Sequence, residues 1–234
     1  MLARVWKIGA FSQKPVSTDD AGVAGVGSNR DAGGSYDITL EALGGALGLK
    51  DSETEGHSKR VAAFTIAIAR AMGLTQDRVR VIARGAFLHD VGMLAISDAI
   101  LRKPGPLSPE EQAIMQQHAL LGYKMLRKLR FPFESADIVY SHQERFDGSG
   151  YPRGLKWDQI PLGARIVAIA EAFDTMTSAH PYRTAQSISS ARGEIERQLG
   201  KQFDPEIVAV FLSLAENIWQ ELRNEIEAQF AQKR

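Results

Sequence analysis

Six side chains with metal-ligating chemistry stand where helices should present hydrophobes: His57, His89, Asp90, His118, His142 and Asp174. Read at a 3.6-residue period, His57 shares a stripe with Val61, Phe64 and Ile68. Ile82, Ala86 and His89 form another, with Asp90 beside His89. Ile114, His118, Leu121 and Met125 share a face, as do Ile138 and His142, and the stripe Ile166, Ala170, Phe173 runs into Asp174. Any one of these is readily explained as a core polar group with a hydrogen-bond partner. Taken together they need a common compensation, because an unpaired buried polar group costs about 1–3 kcal/mol and a bare carboxylate more. A cluster of divalent cations held by neutral imidazoles and ionised carboxylates supplies it. The donors are all nitrogen and oxygen, which suits iron, manganese or zinc. Glu53, one turn before His57, is placed to join or orient the site.

The elements that must carry these residues are helical. Periodicity and start signals place helices near 37–48, 53–72, 76–90, 108–129, 134–144, 163–178, 186–199 and 204–230. Ser108-Pro109-Glu110-Glu111 pairs an N-cap with proline at the first helical position and acid in the first turn, and Asp204-Pro205-Glu206 repeats that logic. The result is an all-α bundle from residue 36 to 234. Residues 1–35, rich in Gly, Ser, Asp and Ala, read as a flexible tail or linker. Within SHQERFDGSGYP, Gly148, Gly150 and Pro152 mark a loop immediately after a histidine-bearing helix. Apolar positions from Ile207 to Phe230 suit either packing on the domain or a dimer seam.

Composition narrows the classes. The 28 basic and 28 acidic residues cancel, so no net field draws the chain to duplex nucleic acid or a membrane surface. The absence of cysteine excludes disulfides, thiolate metal sites and a cysteine nucleophile. No apolar run approaches the roughly 20 residues of a membrane span, and a cytoplasmic setting is expected.

The adjacent pair in FLHDVG, followed by ILRKPGPLSPEE, HQERFDGSGYPRGL, IPLGARIVAIAEAFDTMTS and PYR, strongly resembles the HD-GYP branch of the HD phosphohydrolase superfamily. The likeness runs from about Tyr36 to about Leu214. It implies a helical domain that binds two or three metals, often iron or manganese, and hydrolyses the bacterial second messenger cyclic di-GMP to linear pGpG or GMP. His57, His89, Asp90 and Asp174 are then expected to hold one metal and His118 and His142 a second, with Asp90 bridging. His89 and Asp90 become the catalytic pair. Glu53 matches a glutamate linked to a third metal in some members. Gly150, Tyr151 and Pro152 form the loop lining the substrate pocket, and Lys103 and Arg183 are candidate phosphate contacts. Two such metals can hold a bridging hydroxide for in-line attack on a phosphodiester.

Three departures qualify the expectation. HDVGM puts Met93 where many members carry a lysine near the scissile phosphate, which weakens transition-state stabilisation. His142-Gln143 replaces a histidine doublet, which favours two metals per chain over three. Ala179-His180 replaces Asp-Arg before Pro-Tyr-Arg, and His180 reads as a loop histidine. Two alternatives to hydrolysis of cyclic di-GMP follow. One is a weak or inactive module that binds the dinucleotide or docks a signalling partner through the GYP loop. The other is a phosphohydrolase for a different ester.

Overall fold

A computed structural model describes residues 29–50, 52–179 and 184–231, and the regular elements among them are helical. In chain order they are α1 (Asn29–Lys50), α2 (Ser52–Ala71), α3 (Gln76–Phe87), a 3-10 turn (Val91–Ala95), α4 (Asp98–Leu101), α5 (Pro109–Gln116), α6 (His118–Lys128), α7 (Phe133–Ser141), a second 3-10 turn (Trp157–Gln159), α8 (Leu162–Thr177), α9 (Ile188–Arg197), α10 (Pro205–Ser213) and α11 (Glu216–Ala231). Among the described residues the extended pairing is one isolated β-bridge, Leu199 to Phe203. No described helix is long and apolar enough to cross a membrane.

Helix α2 is the centre of the bundle. Its Val61, Phe64 and Ile68 are fully buried, and it packs on α3, α8 and α11. Phe64, Phe173, Phe211 and Trp219 join α2, α8, α10 and α11 in one aromatic cluster. Neighbouring ring centroids there are 5.0–5.6 Å apart, and each buried ring contributes roughly 1.5–3 kcal/mol. Trp219, Leu222 and Ile226 of α11 are buried in this core, so the apolar stripe of the C-terminal segment packs on the domain itself.

Several expected helices are shorter than periodicity suggests, and side chains that take backbone carbonyls explain most of the breaks. The helix expected over 76–90 stops at Phe87, and the Ala86 carbonyl accepts from His89 Nδ1 at 2.7 Å. The helix expected over 108–129 breaks at Gln117, where the Met115 carbonyl accepts from His118 Nδ1 at 2.8 Å. The helix expected over 204–230 divides after Ser213, and Arg192 donates to the Leu212 and Leu214 carbonyls at 2.6 and 2.9 Å. Helix α1 starts at Asn29, ahead of the expected 37, and residues 1–28 of the expected tail lie outside the described residues. The Ser108 start is as the sequence suggests: Glu111 N–H donates to Ser108 Oγ at 3.3 Å, and the Glu111 carboxylate accepts from Ser108 N–H at 2.7 Å.

Candidate metal centre

Four elements bring the histidines together. His57 projects from α2, His89 and Asp90 from the turn after α3, His118 from the first position of α6, and His142 from the C-terminal cap of α7. Gly92 makes the approach possible, since a Cβ there would lie 1.9 Å from the His118 carbonyl oxygen. Only glycine lets the 3-10 turn touch the start of α6.

The imidazoles share one device. His89, His118 and His142 each donate Nδ1–H to the carbonyl three residues earlier, on Ala86, Met115 and Val139, at 2.7–2.8 Å. A carbonyl only accepts, so Nδ1 carries the proton and the neutral ring presents a bare Nε2. His118 Nε2 and His142 Nε2 face each other at 3.1 Å, and Asp90 Oδ1 is 3.6 and 3.8 Å from them. His89 Nε2 lies 3.2 Å from Asp90 Oδ2, within ion-pair range but outside hydrogen-bond geometry, and is buried without a hydrogen-bond partner. Lone pairs and carboxylates facing one another at these distances need positive charge between them.

In metal-free protein a proton supplies part of it. Burial, the largest influence on His89, opposes its charge, but the Asp90 carboxylate, aided by Glu171, outweighs burial and raises its pKa to about 9. Burial works against the charge of Asp90 too, and His89 overrides it, so that Asp90 stays ionised. His142 is held well below its ordinary value by burial and then by His118 and His89, which keeps it a neutral base.

Among the described residues, two groups bring three donor atoms within 4.8 Å of one another: His57, His89 and Asp90, and Asp90, His118 and His142. Asp90 belongs to both. The residues fit a pair of divalent ions in donor chemistry and in their orphaned nitrogen. Asp174, expected with the first group, lies beside His57 but outside the grouping. Its Oδ2 is 2.8 Å from His57 Nδ1, and Arg60 clamps both its oxygens at 2.7 and 3.0 Å. Glu53 falls within α2, and its side chain lies outside the described residues, as do Arg183 and His180 altogether.

The SHQERFDGSGYP loop folds against the centre. Glu144, buried, accepts from Arg153 N–H at 2.7 Å and Leu155 N–H at 3.0 Å, tying the two ends of the turn together. It does this in place of an ion pair with Arg145, which donates to Ser149 instead. A Cβ at Gly150 would lie 2.3 Å from the Arg145 backbone nitrogen, so this position also requires glycine. Tyr151 N–H donates to the Gln143 carbonyl at 3.2 Å, the Tyr151–Pro152 bond is cis, and the Tyr151 ring stands edge-on to His118 with centroids 6.4 Å apart. Burial, then Glu171 and Asp90, push the Tyr151 hydroxyl above its usual range, so it remains a donor.

Beside the loop lies a cavity of about 530 Å³ lined by His142, Gln143, Tyr151, Glu171, Glu194 and Gln198 among others. Glu171 is the residue that sequence reasoning missed. It lies one turn before Asp174, accepts from Gln143 Nε2 at 2.9 Å, and has its pKa raised by burial. Its acidic character among Ala170, Ala172 and Phe173 was the available signal. Lys103 is paired with Glu111 at 2.6 Å and does not line the cavity, so a phosphate contact would require that pair to open.

Comparison with known proteins agrees with this geometry. The family model for the HD domain matches residues 43–207. A cyclic di-GMP phosphodiesterase of Thermotoga maritima is 43% identical over 188 residues, covering 80% of this chain and 51% of the relative. The cyclic di-GMP phosphodiesterase response regulator RpfG of Xanthomonas campestris is 40% identical, covering 74% of this chain and 47% of the relative. The chain thus spans about half the length of these relatives. A crystal structure of a cyclic GMP-AMP specific phosphodiesterase of Vibrio cholerae shares the fold, with a TM-score of 0.57 at 24% identity over 80% of this chain and 52% of that one. The chain belongs to the HD-domain family, in its HD-GYP branch.

Proposed function

We propose that the chain is a metal-dependent phosphodiesterase that opens cyclic di-GMP to linear pGpG or GMP. The observation that carries this reading is Asp90, shared by two donor groups whose His89, His118 and His142 are each locked with Nε2 inward. Two iron or manganese ions bound there supply a water acidic enough to attack at neutral pH and the charge that clamps a phosphodiester. The chain's own residues do the rest. The carbonyl bonds fix the ring orientations, so the ligands need no reorganisation on loading. Tyr151 and Gln143 offer neutral donors on the cavity side, where a phosphate oxygen or a nucleobase would lie. The GYP loop, held by Glu144, forms one wall of that cavity. The relatives act on dinucleotides by name, which supports the substrate class.

A second reading is a module that binds the dinucleotide, or a signalling partner through the GYP loop, without turnover. Met93 favours it, since a thioether at this turn offers neither a proton nor a charge to a phosphate. The test is elemental analysis of protein purified without chelators, paired with chromatographic assay of cyclic di-GMP hydrolysis. Metal with turnover supports the enzyme, and metal with binding but no product supports the module. Metal-free protein that neither binds nor cleaves the dinucleotide overturns both.

A further inference from the structure

Arg223, on the last helix, reaches back to the outer side of Asp174. Its Nη2 lies 3.4 Å from Asp174 Oδ1 and donates to Thr177 Oγ1, and its Nη1 donates to Ser178 Oγ at 3.2 Å. Ser178 Oγ in turn lies 3.4 Å from the same Oδ1. Arg60 adds its Nε at 2.7 Å to Oδ1. Arg60 spans both carboxylate oxygens, Arg223 and Ser178 add contacts to Oδ1 alone, and Oδ2 also stands beside His57.

Three facts set Arg223 apart from ordinary helix docking. The Asp174 side chain is fully buried, and Arg60 alone already gives it a two-point guanidinium partner. A second guanidinium comes from outside residues 43–207, the span of the family match. Helix α11 is also anchored without it, through buried Trp219, Leu222 and Ile226. What Arg223 adds is a bridge from the end of α8 to the carboxylate that orients His57.

We infer that Arg223 is a positioning residue of the candidate metal centre: by holding Asp174 Oδ1 it keeps Oδ2 on His57 Nδ1 and so fixes the ring that joins His89 and Asp90 in the first donor group. The inference rests on the metal reading above. A group bonded directly to a ligand, as Asp174 is to His57, typically changes metal affinity about 10–100-fold when lost, and Arg223, one bond further out, acts through it at the lower end of that range.

The test measures Mn²⁺ affinity by chelator competition on the metal-stripped full chain, with thermal melting alongside. Arg223→Met, which removes donors and charge at similar length, is expected to weaken Mn²⁺ binding about 10-fold. Arg223→Lys is expected to recover part of that loss. Leu222→Ala, which loosens α11 without touching Asp174, is expected to lower the melting temperature and leave affinity unchanged. Should Arg223→Met fail to fold, Arg223→Gln carries the same expectation. Unchanged binding in the Arg223 variants overturns the inference, and tighter binding does so by showing that the guanidinium merely repels the cation. An equal loss in Leu222→Ala overturns it as well, by assigning the effect to helix docking. Wild-type protein that takes up no Mn²⁺ overturns the metal reading and this inference together.

Discussion

His118 Nε2 and His142 Nε2 stand 3.1 Å apart while both Nδ1 atoms already donate to backbone carbonyls. Two neutral rings so held point lone pairs at each other, and the ionised Asp90 carboxylate beside them adds negative charge. A cation relieves this arrangement, and so does a shared proton at greater cost, because His142 is held neutral by burial and its neighbours. The pair is therefore built for a cation.

His142→Ala removes one arm of this pair and is expected to empty one of the two metal positions while leaving the His57, His89 and Asp90 group intact. Elemental analysis should show metal content falling by about half, with hydrolysis reduced about 100-fold or more. Full metal retention would place the ion elsewhere.

Much of this centre was legible in the sequence because helical period places buried positions well. The stripes through His57, His89 and His142 do lead inward, whereas the one drawn through His118 does not hold, since Ile114 is exposed and the helix breaks at Gln117, although His118 itself is buried. The carbonyl bonds that end α3 and split α5 from α6 were not legible, because they depend on a side chain competing with the helix ladder in the folded interior. Glu171 was missed because it stands one place beyond the Ile166–Ala170 stripe, and only the Gln143 contact reveals which way it faces. The inward path of the SHQERFDGSGYP loop was inferred from a family resemblance. Its cause is Glu144, whose buried role no periodicity reports.

A pH dependence follows from His89 and Asp90. The folded pKa of His89 is raised from 6.5 to about 9, so its contribution to stability is complete below about 6.5 and lost as pH rises through about 9. For metal-stripped protein this amounts to something on the order of 3 kcal/mol across that window. Melting temperatures of the stripped protein should fall from pH 6.5 to 9, and Asp90→Asn should flatten the decline. Metal uptake should strengthen over the same range, since a ligand histidine must release its proton. A stripped wild type as stable at pH 9 as at 6.5 would refute the pairing.

Glu144 closes the GYP loop through two backbone donors, Arg153 N–H and Leu155 N–H. Glu144→Gln keeps the shape but turns an amide toward one of them, so a buried donor loses its partner at about 1–3 kcal/mol. Urea unfolding should register that loss, and limited proteolysis should open a site within 145–156. Protease resistance equal to that of wild type would assign the loop's order to its other contacts, chiefly Phe146 and Asp147 with Gln202 and Lys201.

Met93 offers the sharpest functional test. It sits in the Val91–Ala95 turn, half-buried, its N–H bonded to the Asp90 carbonyl at 2.8 Å, so its backbone is fixed to the residue shared by both donor groups. A lysine there would bring a positive charge close to a phosphodiester bound at the ions beside Asp90, and one added charge or donor at such a position is worth about 100-fold in rate. Met93→Lys is therefore expected to raise kcat for cyclic di-GMP by 10-fold or more, at the lower end of that scale because the metals already carry most of the charge. Binding of the dinucleotide should change little, since the interaction grows in the transition state. A wild type that binds without turnover, converted by this change into a hydrolase, would identify the native chain as a binding module. An active wild type whose kcat Met93→Lys leaves unaltered would mean that position 93 does not face the reacting phosphate.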